Sequence, residues 1–328
     1  MSDNAKKDDP LFDRIYGHGS VIKSLRQEVH GSRLAPGYLF SGPEGVGKSQ
    51  IADALIQTLF CVDPIKDSHG IKGCGQCRAC RNMVDDNHPD LTRLGVEKGK
   101  TRISVEQIRQ LSFTLSLTAM EAAWKVAVID DAALMTDAAA NALLKTLEEP
   151  PKGTVIFLIT ANPGMMLPTI RSRCRKERFT TLSDAILSKI LTEQTDNDHA
   201  VIQEAVALGQ GRASVALAFC DSKLIDLKNR FENDMNTLSI GRIGHLCDTA
   251  AFWGKADNWP LARQLTKTWF QQTIRANMME EKEFFNHTVL MDAAVWVEDL
   301  LKRAAVFHIP PRLVLEGVFL HIARLVGQ

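Results

Sequence analysis

The sequence lacks a long hydrophobic run, a net charge and an apolar leader segment. No stretch of about 18 consecutive apolar residues occurs, so we expect no membrane-spanning segment. The chain carries 39 Lys and Arg against 39 Asp and Glu, which gives a formal net charge of zero. A protein that holds DNA alone through many phosphates is usually basic. If this chain meets DNA, we therefore expect other chains to supply much of the positive field.

The beginning of the sequence and its cysteines indicate a cellular compartment. Residues 1–10 are polar and charged, with no apolar signal-peptide core, which predicts a cytoplasmic protein. In a reducing compartment, the seven cysteines indicate metal binding or burial rather than disulfides. A length of 328 residues predicts two or three domains.

The sequence does contain a phosphate-loop motif, G-x-x-x-x-G-K-[ST], at residues 42–49. The motif follows the apolar run 38–40 and precedes a helical pattern at 51–59. This strand, loop and helix order is the context that the motif requires, so it favours nucleotide binding. The alternative is a vestigial loop that is kept for its shape.

Each fixed position of this motif has a physical role. Gly42, Gly45 and Gly47 let the loop curl so that its backbone N–H groups point at phosphate oxygens. The following helix N-terminus adds a dipole that favours negative charge. Lys48 is predicted to reach the β- and γ-phosphates, and Ser49 to help hold Mg²⁺. The expected ligand is ATP or ADP with Mg²⁺.

The pattern around the motif predicts an α/β fold. Short, β-branched apolar runs occur at 126–129 and 155–159, which is typical of parallel strands buried on both faces. Residues 138–147 between them read as a helix that Pro150 and Pro151 end.

Two acids follow the first of these strands, as in a Walker B motif. Asp130 is predicted to hold the metal ion, directly or through water. Asp131 occupies the position where many ATPases have a Glu that polarises the attacking water. Because Asp is one methylene shorter and positioning dominates phosphoryl transfer, we expect binding with weak or absent hydrolysis. The alternative is two solvated acids at a strand end.

Four cysteines predict a structural zinc site. Cys61, Cys74, Cys77 and Cys80 form the pattern C-x12-C-x2-C-x2-C. Four thiolates complete a tetrahedral zinc site and leave no open position for a substrate, so the expected role is folding. Four reduced, unligated thiols are the alternative.

The last part of the chain is helical in pattern. Ser183 is a plausible N-cap for a helix to about Leu191, a second helix spans 200–208, and a third begins near Arg212. Beyond residue 222 the pattern stays helical. Four tryptophans occur there, and core packing is the preferred interpretation over base stacking: Trp253, Trp259, Trp269 and Trp296.

Together these features resemble the bacterial clamp-loader subunits of the AAA+ class. The markers are the phosphate loop, the four-cysteine insertion after its helix, the run Asn141–Pro151 and the triplet Ser172-Arg173-Cys174. The resemblance implies an α/β AAA+ domain over 1–179 with a zinc-binding insertion at about 61–80. It further implies a three-helix lid domain at 180–222 and an all-α collar domain at 223–328.

The resemblance also implies roles for individual residues. Arg173 would be an arginine finger that acts in trans, on the γ-phosphate bound by an adjacent subunit. Without the resemblance, the basic run 171–176 would read as a solvated face. Asn162 lies near the sensor-1 position, Arg212 matches the sensor-2 position, and residues 16–18 lie where the family contacts adenine.

Within this family the chain resembles the delta prime type. Residues 130–140 are similar to the delta prime pattern, whereas the motor subunits, gamma and tau, carry Asp-Glu-x-His there. The implied partners are delta and gamma/tau subunits and, through the complex, the sliding clamp and primer–template DNA. No polymerase site is visible, because the Walker strand accounts for the two acids.

Three rival interpretations stay open at this point. The nearest is a motor-type clamp-loader ATPase, which would hydrolyse ATP through Lys48. A small-molecule P-loop kinase explains residues 42–49 but leaves the cysteines and Arg173 without a role. A zinc-dependent DNA-binding module is disfavoured by the neutral charge.

Overall fold

The chain divides into two compact units, with the boundary between Ala218 and Phe219. The computed structural model describes residues 9–31, 33–238, 242–279, 287–307 and 309–326. The first unit contains both the sheet and the three helices that follow it, which the sequence assigned to a separate lid. The three-domain division therefore stays a prediction.

The first unit alternates strands and helices. The strands are β1 Gly37–Ser41, β2 Ile65–Asp67, β3 Gly70–Lys72, β4 Leu91–Leu94, β5 Lys125–Ile129, β6 Thr154–Thr160 and β7 Arg175–Arg178. The helices are α1 Gly19–His30, α2 Lys48–Phe60, α3 Arg78–Val84, α4 Val105–Ser116, α5 Asp137–Glu148, α6 Pro168–Arg173, α7 Asp184–Gln194, α8 His199–Gly209 and α9 Ala213–Ala218. Short 3-10 turns lie at Leu11–Arg14, Ala132–Leu134 and Pro163–Met165.

Five strands form one parallel sheet in the order β4-β5-β6-β1-β7. All residues of β5 and β6 are buried, as expected for strands with helices on both faces. One core cluster packs α2 and Phe157 together, and the other packs α4 and α5 against Ile129 and Leu158. Since β1, β5 and β6 are adjacent, the segments that follow their carboxyl ends meet at one edge of the sheet.

Local signals in the sequence explain several helix boundaries. Ser104 caps α4 with a complete capping box, in which its hydroxyl accepts from the Gln107 backbone N–H. Thr136 caps α5, and Ser183 caps α7 as predicted, each accepting a backbone N–H three residues on. These caps satisfy N–H groups that have no partner within the helix.

Among its described residues, the second unit contains helices and no strand. Its helices are α10 Ser222–Thr237, α11 Ile243–Trp253, α12 Trp259–Met279, α13 His287–Phe307 and α14 Pro311–Val326. Trp253 is fully buried and its indole N–H donates to Asp234 (2.8 Å), so core packing is confirmed there. The same interpretation is wrong for Trp296, which is 42% exposed and stacks on His321.

None of the described helices has both the length and the apolar character needed to cross a bilayer.

Candidate functional site

The phosphate loop connects the carboxyl end of β1 to α2, as its sequence context predicts. Gly42, Gly45 and Gly47 have φ values of 151°, 77° and 98°. A side chain is disfavoured at such values, which explains the glycines physically. The loop is also tightly enclosed: a Cβ on Gly42 would lie 2.2 Å from the Phe179 carbonyl oxygen, and one on Gly45 would lie 2.1 Å from Ser214 Oγ.

Lys48 begins α2 and folds back over the loop. Its ammonium group donates to the carbonyl oxygens of Gly42 (2.8 Å) and Pro43 (2.7 Å), and the residue is only 7% exposed. Burial lowers the pKa of Lys48, and the attraction of Glu44, Asp131 and Asp130 opposes this shift. The ammonium group is therefore held inside the loop by two carbonyl oxygens. A bound phosphate would replace these oxygens as the hydrogen-bond partner of Lys48.

Two aspartates face this loop from the end of β5. Burial raises the pKa of Asp130, and repulsion from Asp131 adds to this, while Arg93, a hydrogen bond from Ser49 and Lys48 oppose it. Asp130 and Ser49 are therefore close enough to share a Mg²⁺ ion, which prefers such oxygen ligands. Asp131 is exposed and has a left-handed backbone, with φ 48°.

A cleft of about 390 Å³ opens beside these residues. Its polar lining residues include Lys48, Ser49 and the two aspartates. Three other segments contribute apolar and aromatic lining residues, among them Ile15, Tyr16, Leu182, Ile190 and Leu217. This mixed lining suits a nucleotide, with the phosphates at the loop and the base against the apolar residues.

Sequence reasoning missed most of these apolar lining residues. Ile190 and Gln194 lie on α7 and Leu217 lies on α9, so the helices after the sheet line the cleft. Tyr16, which the resemblance assigned to adenine contact, does line it; its hydroxyl donates to Glu193 and Lys189 lies over its ring. No contiguous motif marks these residues, because they meet only in the folded chain.

The two predicted sensor residues lie in different surroundings. Arg212 precedes α9 beside the loop, since its Cβ lies 3.5 Å from where a Cβ on Gly45 would be. The neighbouring Ser214 backbone N–H donates to the Gly45 carbonyl (3.2 Å). Burial lowers the pKa of Arg212, and Glu44 opposes the shift. Asn162 is exposed just after β6 and is not among the residues that line the cleft.

The four predicted zinc ligands come together at the end of α2. The sulfur atoms of Cys61, Cys74, Cys77 and Cys80 all lie within 4.8 Å of one another. The Cys74–Cys80 and Cys61–Cys77 pairs are separated by 3.9 and 4.0 Å. A tetrahedron with Zn–S bonds of about 2.3 Å has edges of about 3.8 Å, so the cluster fits a tetrahedral metal ion.

Backbone N–H groups near these cysteines favour the negatively charged thiolate form. The Cys74 N–H donates to Cys61 Sγ (3.2 Å), and the Cys77 N–H donates to Cys74 Sγ (3.3 Å). Burial raises the pKa of Cys61 to about 11 and also raises that of Cys80. For Cys77, hydrogen bonds outweigh burial and lower the pKa to about 7. Crowded thiols of this kind are stabilised when a cation shares their charge.

Arg173 lies away from the cleft, at the carboxyl end of α6. Its guanidinium pairs with Glu148 (2.6 Å) and donates to the Thr169 carbonyl (3.0 Å), and its side chain is 37% exposed. The adjacent Cys174 is buried in the core, which fixes the backbone beside it. Within the described residues, Arg173 does not line the chain's own cleft.

Comparison with known proteins gives a family match. A family model described as DNA polymerase III, delta subunit, matches residues 17–183, just over half of the chain. The chain is 39% identical over 174 residues to the DNA polymerase III subunit delta' of Escherichia coli K12, covering 53% of this chain and 51% of that one. It is 37% identical over 179 residues to that of Bacillus subtilis 168, covering 55% and 52%. The chain spans about half the length of the curated relatives it matches.

A tau/gamma subunit is also similar. The DNA polymerase III subunit tau/gamma of Haemophilus influenzae is 32% identical over 238 residues, covering 70% of this chain and 33% of that one. Among solved structures, a DNA polymerase III gamma subunit-related protein of Thermotoga maritima superposes with a TM-score of 0.50. It is 18% identical and covers 97% of this chain and 100% of that one, which supports the fold alone.

The match over residues 17–183 contains the phosphate loop, the four cysteines and Arg173. The resemblance to the delta prime type that the sequence predicted is therefore confirmed. The chain belongs to the family described as DNA polymerase III, delta subunit, and it is similar to the delta' subunits of Escherichia coli and Bacillus subtilis.

Proposed function

We propose that this chain works as the delta prime subunit of a bacterial clamp loader, which helps to place the sliding clamp on primed DNA. The observation that carries the proposal is the family match, since it covers the loop, the cysteine cluster and the Ser-Arg-Cys triplet in one segment. The relatives that match this segment are named delta' subunits of DNA polymerase III.

The chain's own cleft binds ATP or ADP with Mg²⁺ in this proposal. Support comes from the intact loop around Lys48, from Ser49 beside Asp130, and from the apolar residues that line the same cleft. Hydrolysis in this cleft is weak or absent. Asp131, which follows Asp130, is one methylene shorter than the Glu that polarises the attacking water in many ATPases, and phosphoryl transfer depends on positioning.

Arg173 serves a neighbouring subunit in this proposal. It ends a short helix, is partly exposed, and is held by Glu148 within its own chain. A neighbour's γ-phosphate would offer the guanidinium a stronger, doubly hydrogen-bonded partner than one carboxylate. In this proposal the contact with Glu148 orients the Arg173 side chain, and the γ-phosphate bound by the neighbouring subunit replaces Glu148 when the complex assembles.

The proposed partners are delta and gamma/tau subunits and, through the complex, the sliding clamp and primer–template DNA. The zero net charge supports a chain that meets DNA as part of a larger assembly. The cysteine cluster holds a structural zinc ion in this scheme, and the protein acts in the cytoplasm.

A motor-type clamp-loader ATPase is the second candidate, because Lys48, Ser49 and Asp130 are all in place around the cleft. The two functions differ in which residue the turnover needs. A delta prime subunit needs Arg173, whereas a motor subunit needs Lys48.

The test is steady-state ATP turnover by a reconstituted loader with clamp and primed DNA. Arg173→Ala is compared with Arg178→Ala, a matched change at an exposed arginine on the adjacent strand. We expect a large loss only for Arg173→Ala, because arginine fingers contribute about 10³–10⁵ in rate in well-studied GTPases. Assembly is checked by gel filtration for both variants.

Lys48→Ala in this chain completes the comparison. If turnover depends on Lys48 and is indifferent to Arg173, the motor-type function replaces the proposal. If neither change matters while the loader assembles, Arg173 is structural and the trans arginine finger is refuted.

A further inference from the structure

The cysteine insertion, at about residues 61–80, contacts the segment around residues 14–16, which line the cleft. Lys72, at the end of β3, pairs with both carboxylate oxygens of Asp13 (2.6 and 2.5 Å). The Lys72 side chain is only 15% exposed, so this pair is shielded on one side. Asp13 lies in the 3-10 turn directly before Ile15 and Tyr16, which line the cleft.

A second contact ties the β2–β3 hairpin to α1. The Arg26 guanidinium donates to the Ile71 carbonyl (3.0 Å) and to Asp67 (2.5 Å), and Arg26 is 6% exposed. Gly70 packs so closely that a Cβ there would lie 2.7 Å from the Arg26 backbone. Arg26 also lies over the Phe12 ring, at 5.6 Å from its centroid. The hairpin therefore reaches both α1 and the turn before it.

A third contact joins the same parts through α2. The Gly73 backbone N–H donates to Thr58 Oγ1 (3.0 Å), and the Leu11 backbone N–H donates to Gln57 Oε1 (3.0 Å). Cys61 is the residue immediately after α2. The last turn of the phosphate-loop helix thus contacts the cysteine insertion through Thr58 and the 3-10 turn through Gln57.

These contacts connect the insertion to residues that line the cleft, so a change in the insertion can be measured as a change in nucleotide affinity. We propose that the metal-loaded insertion is a brace that positions residues 14–16 against the base of a bound nucleotide. Lys72 and Arg26 are its positioning residues. A metal ion at the four cysteines would fix the position of β3 relative to α2. Lys72 at the end of β3 pairs with Asp13, which directly precedes the cleft-lining residues 14–16. The inference rests on the nucleotide binding proposed above and gives the insertion a part in it.

The brace acts on the base end and leaves the phosphate end alone. Lys72→Met and Arg26→Met are therefore expected to weaken binding of Mg·ADP while binding of magnesium tripolyphosphate, which reaches only the loop, stays unchanged. For Lys72→Met, the loss of one partly exposed ion pair predicts about a two- to fivefold change in Kd. Arg26→Met is expected to have the larger effect, because its guanidinium is buried and holds two partners.

The experiment is calorimetry on the full chain with zinc retained, using both probes. Arg78→Met is the matched control, since Arg78 belongs to the insertion and pairs with Glu121, and neither residue is among those that line the cleft. A double-variant cycle of Lys72→Met with Asp13→Asn tests whether the two residues act as one pair. Hydrogen exchange of residues 11–18 then reports whether the wall itself is loosened.

Linkage supplies an independent readout. If the metal tightens ADP binding by a given factor, ADP must tighten zinc binding by the same factor, measured by competition with a chromophoric chelator. The brace is supported by an ADP-specific loss in both variants and by this reciprocal shift.

Three results overturn the inference, and the first two separate it from the proposed function. If the wild type binds ADP and both variants bind it equally well, the brace is wrong and nucleotide binding stands. If both probes weaken together, the insertion supports the whole unit rather than the base end, which also refutes the brace. A wild type that binds tripolyphosphate but no nucleotide removes the proposed nucleotide function and the brace with it.

Discussion

Substitution by alanine is expected to destabilise the protein far more at Gly42 than at Gly47, the two outer glycines of the phosphate loop. In Gly47→Ala, the new methyl group meets nothing closer than 3.5 Å, so the cost is the unfavourable φ of 98°. That conformation costs an L-residue about 1–2 kcal/mol. In Gly42→Ala, the methyl group would lie 2.2 Å from the Phe179 carbonyl oxygen and 3.0 Å from its carbonyl carbon.

Relief of this clash requires movement of the backbone. Phe179 is 1% exposed, packs on Phe40 and His18, and its N–H donates to the Ser41 carbonyl (2.8 Å). The backbone strain, overpacking at a buried aromatic residue and a weakened hydrogen bond add up to about 3–6 kcal/mol for Gly42→Ala. Because the backbone strain is common to both variants, the difference comes from the overpacking and the weakened hydrogen bond and amounts to about 1.5–4.5 kcal/mol.

Amide hydrogen exchange in peptides from β1 and β6 measures this difference. It reports the opening free energy of the first unit separately from the helical second unit, which a global unfolding curve does not. Mg·ADP binding is measured in parallel and is expected to be lost in Gly42→Ala and weakened in Gly47→Ala. If Gly42→Ala costs no more stability than Gly47→Ala, the close approach of Phe179 does not constrain the loop and the reasoning is refuted.

Two further predictions concern a helix cap and an acid-sensitive carboxylate. Thr136→Ala removes the oxygen that accepts the Ala139 N–H (3.2 Å), which should lower the hydrogen-exchange protection of α5 by about 1 kcal/mol. Thr136→Ser keeps a hydroxyl and should cost little. An equal loss in both variants would contradict a capping role. Asp90 accepts backbone N–H groups from Met120, Glu121 and Ala122, and these bonds outweigh burial and lower its pKa. Because the folded pKa is depressed, this stability is present above the ordinary pKa of about 3.9 and is lost as pH falls through the folded value. The gap between wild type and Asp90→Asn in urea unfolding should thus narrow below about pH 4, and a gap that is constant with pH would refute the assignment.

Local patterns predicted the parts of the site that are continuous in sequence. The strand runs 126–129 and 155–159 correspond to β5 and β6, and the helix predicted at 138–147 is α5. The phosphate loop lies between β1 and α2 as expected, and the four cysteines converge. These features depend on residue spacing along one short segment, and such spacing is readable without the fold.

Other elements gave no comparable signal. The edge strand β4 is short and half-buried, so it lacks both a continuous apolar run and a clear alternation. The β2–β3 hairpin has two strands of three residues each, too short for a periodic pattern. Trp296 was expected in the core but lies on the surface, because helical spacing alone does not reveal which face of α13 is covered.

The order of residues along the chain specifies which chemical groups the protein carries: a glycine loop with Lys48 and Ser49, a carboxylate after a buried strand, four thiols at metal-binding spacing, and a Ser-Arg-Cys triplet. How those groups are placed relative to one another depends on the folded chain. Folding brings Ile15, Ile190 and Leu217 into the lining of one cleft, keeps Arg173 outside that cleft on Glu148, and joins Lys72 to Asp13. These are contacts between residues far apart in the chain, and their free energy is realised only when the sheet and its helices have packed.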